Sequence, residues 1–531
     1  MTLRNTMMIG LVTYLVAGIA TAQVRLPAPG LSAGPQCYQP PTDIDVRRSL
    51  FVTDLDVVES AISLEDVLGA LARDSGIPGL RAIDLWDQWW DTQNASPGLG
   101  LGPNCDEMVD ANGNPAINQF PIQCERNEGS EINVDPFAPG LPSFYTPIAL
   151  VNRFDLAPPN GANCGEYRII FARTSGANNP FDRNLLIFEA VLPNPSPGCG
   201  IDGCQMVTKF WKNLSRIDDP SKRAQLLRQF YLKGFPSRNI PAVVRIDRFA
   251  PGAGQIRTNQ FMSGPNSQIW QLREFKLAFS CASGSGRCNL EFVPITVKTN
   301  PFGELFDETF ADARTVPFQR HFVMQVENLA ENDINAFFAT IPDLFNAGQS
   351  NSQGPENDYT LHFDPASHFG RVLAQRLRQI GSPLRPDHVV RRSQAMSCAG
   401  CHQLNNSAPA NDLGNGLIWP SSLGFVHVSE AQTEIVNGVE RFTISPALTD
   451  VFLPHREKIF EEYIDSLRCQ PCVSLSLEAD YSSDVGPMPI SVAEDEIDVP
   501  VDLLSEKVKA LDIERKQGLP RTNLGGPVRA H

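Results

Sequence analysis

An α+β fold, with an antiparallel strand-rich middle and a mainly helical C-terminal third, is what three features of the sequence predict. Between residues 167 and 298, short runs dense in Ile, Val, Leu and Phe alternate with turns rich in Gly, Pro and Asn. From Phe318 onward the apolar residues recur instead at the helical period. Hydrophobic residues make up 42% of the chain and charged residues 20%, which excludes a wholly disordered polypeptide.

The elements follow in order. Ser63 with Asp66 forms a capping-box-like start for a helix over 63–74, and 81–93 also reads as helix, with Trp86, Trp89 and Trp90 near one face. Aromatics at that spacing are read as core rather than as a ligand platform. Runs 167–172 and 185–192 form a pair of strands. Asp219 before Pro220 caps a helix that Gly234 ends. Four further strands are expected over 242–249, 255–261, 269–279 and 289–298, and helices over 318–329, 333–345 and 369–380. Pro386 opens a helix that runs into Cys398, and Pro454 opens another. The expected organisation is a signal peptide over 1–22, an irregular and helical region over 23–145, a strand-rich region over 146–300, a helical region over 301–475 and an acidic tail over 476–531. Asp110 to Asn114 resembles the start of a calcium loop, but its Gly stands at the wrong position, so it is read as a turn.

Charge and the N-terminal pattern restrict partners and compartment. The formal net charge is −16, a poor match for nucleic acid or anionic lipid. Residues 9–20 are apolar except for Thr13, and Ala20-Thr21-Ala22 places a cleavage site before Gln23. That run is well short of the roughly 20 residues a membrane span needs, so no stable span is expected after cleavage. The expected location is periplasmic or secreted, where disulfides persist.

One motif carries chemistry. Residues 398–402 read Cys-Ala-Gly-Cys-His, the C-x-x-C-H attachment pattern of haem c. Two thiols on one helical turn can reach both vinyl groups of one porphyrin, and the next residue, His402, then lies under the iron. With 12 Cys and 8 His in the chain, chance supplies about 0.004 such patterns. A local Cys398–Cys401 disulfide, a thioredoxin-type site and a zinc site shared with Cys469 and Cys472 are the competing interpretations.

On these residues the sequence resembles the c-type cytochromes, over at most about residues 370–515. The resemblance implies one covalent haem c bound by Cys398, Cys401 and His402, and a second axial ligand from downstream. Met488, in Gly486-Pro487-Met488-Pro489, looks like that family's Met-Pro ligand loop, followed by a helix-compatible stretch over 503–515. It stands farther from the motif than in a minimal cytochrome. His427 is the main competitor as metal ligand and His455 the third. Arg391, Arg392, Trp419 and Arg456 are candidate partners of the haem propionates. The implied function is one-electron transfer with a redox protein or a small-molecule donor or acceptor. A peroxidase-like haem enzyme and a disulfide-stapled secreted binding protein without haem are the alternatives. The ten remaining cysteines are an even number. Pairs are expected at Cys105/Cys124, Cys199/Cys204, Cys281/Cys288 and Cys469/Cys472, with Cys37/Cys164 left by elimination.

Overall fold

Strand residues that alternate between two faces need a partner layer on each apolar side. The computed structural model describes residues 43–262, 270–281, 288–406 and 411–467, all within one compact unit spanning Pro41–His531. The signal segment 1–22, Cys37, Cys469, Cys472, Met488, the stretch 503–515 and the tail 476–531 lie outside the described residues.

The fold is α+β. The strands are β1 (Phe51–Val52), β2 (Ala116–Ile117), β3 (Phe120–Pro121), β4 (Tyr145–Arg153), β5 (Asn163–Arg173), β6 (Asn184–Pro193), β7 (Gln255–Gln260), β8 (Gln271–Cys281), β9 (Cys288–Ile295), β10 (Ser350–Asn351), β11 (Val428–Val436) and β12 (Val439–Ile444). Among the described residues, eight of them form one antiparallel sheet in the order β1-β4-β5-β6-β7-β8-β10, with β9 also on β8. Residues before 145, between 146 and 300 and after 300 therefore contribute to the same sheet. The helices are α1 (Val46–Ser49), α2 (Leu55–Ala61), α3 (Leu64–Asp74), α4 (Ala82–Asp91), α5 (Gln205–Leu214), α6 (Pro220–Leu232), α7 (Thr315–Leu329), α8 (Tyr359–His362), α9 (His368–Gln379), α10 (Pro386–Met396), α11 (Cys398–Leu404) and α12 (Leu453–Leu467). None is long and apolar enough to cross a membrane.

Register assigns the two faces. One row runs Leu150, Ile169, Phe188, Ile256, Phe275 across β4 to β8 and is apolar throughout. It packs on the N-terminal helices: Trp89 sits edge-on to Phe188 and Phe275 and stacks on Phe292 at 4.4 Å. The three tryptophans of α4 are fully buried, as core residues. The next row on the opposite face runs Ile170, Ile187, Arg257, Glu274, and another contains Val151, Arg168, Glu189, Gln255. That face mixes apolar and charged side chains, and the candidate site lies on it.

Caps fall where the side chains dictate. Ser63 and Asp66 close a reciprocal capping box on α3, and Asp219 accepts from Ser221 and Lys222 at the start of α6. Four expectations are corrected. Residues 242–249 are not a strand: Val243 and Val244 donate to the Tyr231 carbonyl and Ile246 to Asp74, so their N–H groups are engaged by a helix end and a carboxylate rather than a ladder. Residues 333–345 are not a helix: one turn forms at Asp333, and a short 3₁₀ turn at Asp343–Phe345 follows Pro342. The helix from Pro386 stops at Met396 because Ser397 is extended. Cys204 pairs with Cys164 rather than with Cys199, so Cys37/Cys164 also falls. Cys199 belongs to the 3₁₀ segment Pro197–Cys204 leading into α5, and that segment brings Cys204 against the start of β5. Cys199 is disulfide-bonded as well. The Cys105–Cys124 and Cys281–Cys288 pairs form as expected, and these disulfides fit an oxidising compartment.

Candidate functional site

The extended Ser397 that ends α10 starts a new helix. Its Oγ accepts from Gly400 N at 3.0 Å, so the Cys-Ala-Gly-Cys-His segment becomes a capped helix of its own, α11. Ala399 N donates to Ser350 Oγ of β10 at 3.0 Å, which docks that helix on the sheet. Gly400 is needed here: a Cβ would stand 2.1 Å from the Gln394 carbonyl oxygen. Cys398 and Cys401 are both buried and neither is in a disulfide. Burial pushes the Cys398 thiol up to about 11 and the Cys401 thiol well up too, so neither is a thiolate near neutral pH.

His402 and His427 converge beside these thiols. Trp270, fully buried, stacks on the His402 ring at 4.5 Å between centroids, and the His427 ring lies 5.0 Å from that of His402. His402 Nδ1 is buried and has no hydrogen-bond partner. His427 is placed by the β11–β12 hairpin, whose Asn437-Gly438 turn has positive φ at both residues. The hairpin returns Ser445 to His427, where Nδ1 and Ser445 Oγ are 2.9 Å apart and Nε2 lies 3.9 Å from Cys401 Sγ. Burial lowers the basicity of both rings, that of His427 to about 4, and His427 lowers His402 further. Two neutral imidazoles able to donate a lone pair thus face each other near two free thiols.

Beneath them is a cavity of about 90 Å³ between the cavity face of the sheet and the α11 and β11 segments. Its walls include Val151, Ile170, Leu185, Ile187, Leu272 and Val426, with Cys398, His402 and His427. Its charged lining is Arg153, Arg168, Arg257, Arg456 and Glu189. Arg168 bridges Glu166 and Glu189, Arg257 bridges Glu189 and Glu274, and Arg153 grips Asp155. Burial works to raise Asp155 and Glu166, but Arg153 and Arg456 hold the first at about 2, and Arg168 and Lys298 the second at about 2. These acids stay ionised and fix the guanidiniums in place.

The structure brings Cys398, Cys401, His402 and His427 together, and Arg456 with them. Arg392 spends its guanidinium on the carbonyls of Leu329, Glu331, Leu413 and Gly414, and Arg391 donates to Asp412 O. Neither lines the cavity, and neither do Trp419 and His455. Trp419 packs against Phe337 and Phe452. Arg153, Arg168, Arg257 and Glu189 were not singled out from the sequence. Their signal was a charge inside a strand-like run: Arg168 lies within 167–172 and Glu189 within 185–192. Among the described residues, no group of three or more His, Cys, Asp or Glu is arranged to hold a bare metal ion. Comparison with protein-family models, curated proteins and solved structures finds no match for this chain.

Proposed function

We propose that this chain carries one haem c, attached through Cys398 and Cys401 with His402 as axial ligand, and serves as an exported one-electron carrier. The observation that carries this reading is the cysteine chemistry. In a chain whose other described cysteines are all disulfide-bonded, the two motif thiols alone are free, and they sit on one helical turn beside a cavity lined by Cys398, His402 and His427. Buried haem iron, cycling between ferrous and ferric states, would supply the electron chemistry.

The chain's own residues supply attachment, ligation and exclusion of water. Trp270 holds the His402 ring in plane by stacking. Ser445 Oγ lies 2.9 Å from His427 Nδ1 and orients the ring, with Nε2 on the motif side. His427 would then be the second residue to hold the iron, beside His402. The partner would be a redox protein or a small-molecule donor or acceptor, met in the periplasm or outside the cell.

Haem stain on the purified, denatured chain is the test, since only a covalent group survives denaturation. Stain in the wild type and its loss in the Cys398→Ala, Cys401→Ala double variant are expected, and an unstained wild type overturns the proposal. The optical spectrum then separates transfer from catalysis. Low-spin six-coordinate iron that becomes high-spin in His427→Ala fits a carrier. High-spin ferric iron in the wild type fits a peroxidase-like enzyme with His427 as its base.

A further inference from the structure

Leu423 to Val426 forms a two-residue turn against the motif. Leu423 N donates to Val426 O at 2.9 Å, and Val426 N donates back to Leu423 O at 3.3 Å. Both central residues are left-handed, Gly424 at φ 54° and Phe425 at φ 70°. Glycine suits that conformation, but a bulky side chain there is strained, and such strain persists only where the surroundings impose it. On the inner side, the Phe425 ring joins the small apolar cluster that contains Phe261, Trp270 and Cys398, and the Phe425 carbonyl accepts a hydrogen bond from the His402 ring. On the outer side, Arg183, from the loop before β6, ties the turn to the sheet. Its Nη1 donates to Gly424 O at 3.0 Å, its Nε and Nη2 grip the Glu430 carboxylate, and its guanidinium lies 4.6 Å from the centre of the Phe261 ring.

We propose that residues 423–426 are a lid over the Cys-Ala-Gly-Cys-His helix, latched shut by Arg183. Cys398, Cys401 and Trp270 are buried, and Val426, the last residue of the turn, lines the cavity beside them. That cavity, at about 90 Å³, is far smaller than the about 300–1,000 Å³ of ligand pockets, so a ring the size of a porphyrin reaches Cys398 and His402 only once a wall moves. The lining strands of the sheet are fixed by ladders, and α11 by its cap and by Ser350. Gly424 and Phe425 are held instead by side-chain contacts, which makes the turn the segment able to open locally. Admission of a cofactor through the lid rests on the haem reading, whereas the lid itself does not.

The test uses the two free thiols as reporters, in the full-length chain made without haem attachment. Circular dichroism establishes that each form is folded. Alkylation of Cys398 and Cys401 by iodoacetamide is followed by peptide mass spectrometry over a urea series below the unfolding transition. Opening of the turn exposes little surface, so its labelling rate stays flat at low urea, whereas labelling through global unfolding rises with urea from the start. In Gly424→Ala the new Cβ meets nothing within 4 Å, so the variant only strains the left-handed turn and should speed labelling about tenfold. Arg183→Gln removes the latch and should speed it by about the same factor. If Arg183→Gln does not fold, Gly424→Ala alone decides. If the haem-free chain does not fold, hydrogen exchange at the Leu423 and Val426 amides of the chain as isolated makes the same comparison. A rate flat in urea and raised by the variants supports the lid. A rate that follows global unfolding, or that either folded variant leaves unchanged, overturns it. Both results hold whether or not the wild type stains for haem, so failure of the lid and failure of the haem reading are told apart.

Discussion

Breaking the Cys164–Cys204 bond gives a sharp test of the fold because its effect depends on which cysteines are joined. The bond closes a sequence separation of 40, and both sulfurs are fully buried. Restricting the unfolded chain over a loop of that size is worth about 4 kcal/mol in the chain-entropy description. The alternative Cys199–Cys204 pair would close a loop of about five residues, worth about 2 kcal/mol. Cys164→Ala and Cys204→Ala are each expected to lower the unfolding free energy by about 4 kcal/mol, and the double variant by about the same amount rather than twice it. Urea unfolding measures the three values, and thiol labelling of Cys164→Ala should find Cys204 newly reactive. Additive losses, or a Cys199→Ala variant that couples to Cys204→Ala instead, would refute the pairing and with it the packing of α5 on β5.

Other consequences can be measured as directly. Gly400→Ala must displace the Gln394 carbonyl, so a loss of about 1–3 kcal/mol is expected together with reduced haem stain. Trp89→Ala removes the ring stacked between Trp90 and Phe292 and should cost about 3–5 kcal/mol in urea unfolding. Burial holds the Glu356 carboxyl at about 7, above the usual 4.5, against hydrogen bonds from Gln349 and Asn351 that favour its charge. The folded state therefore keeps its proton longer than the unfolded one. Relative to Glu356→Gln, the wild type should lose about 3 kcal/mol as pH rises from 4.5 through 7, and a pH-independent difference would contradict this.

Local signals in the sequence were legible wherever one segment sufficed to make them. The capping box at Ser63 and Asp66, Asp219-Pro220, the five-residue motif and the two short disulfide loops all form as their spacing implies. Signals that depend on distant chain were not. The apolar run 242–249 satisfies its N–H groups on Tyr231 and Asp74, and no periodicity announces that. The β11–β12 hairpin was missed although Asn437-Gly438 is the usual sign of such a turn, because its strands are polar on their exposed side.

The sequence by itself determined the α+β class and the placing of two cysteines and a histidine within five residues, since both depend on residue type and local spacing. Only the tertiary structure decided what surrounds that motif. His427 meets His402 because a hairpin folds back through Ser445, and Arg153 and Arg168 meet because antiparallel register sets β4 and β5 side by side. Those contacts join residues 15 to 25 positions apart, and spacing along the chain carries no information about which of them will touch.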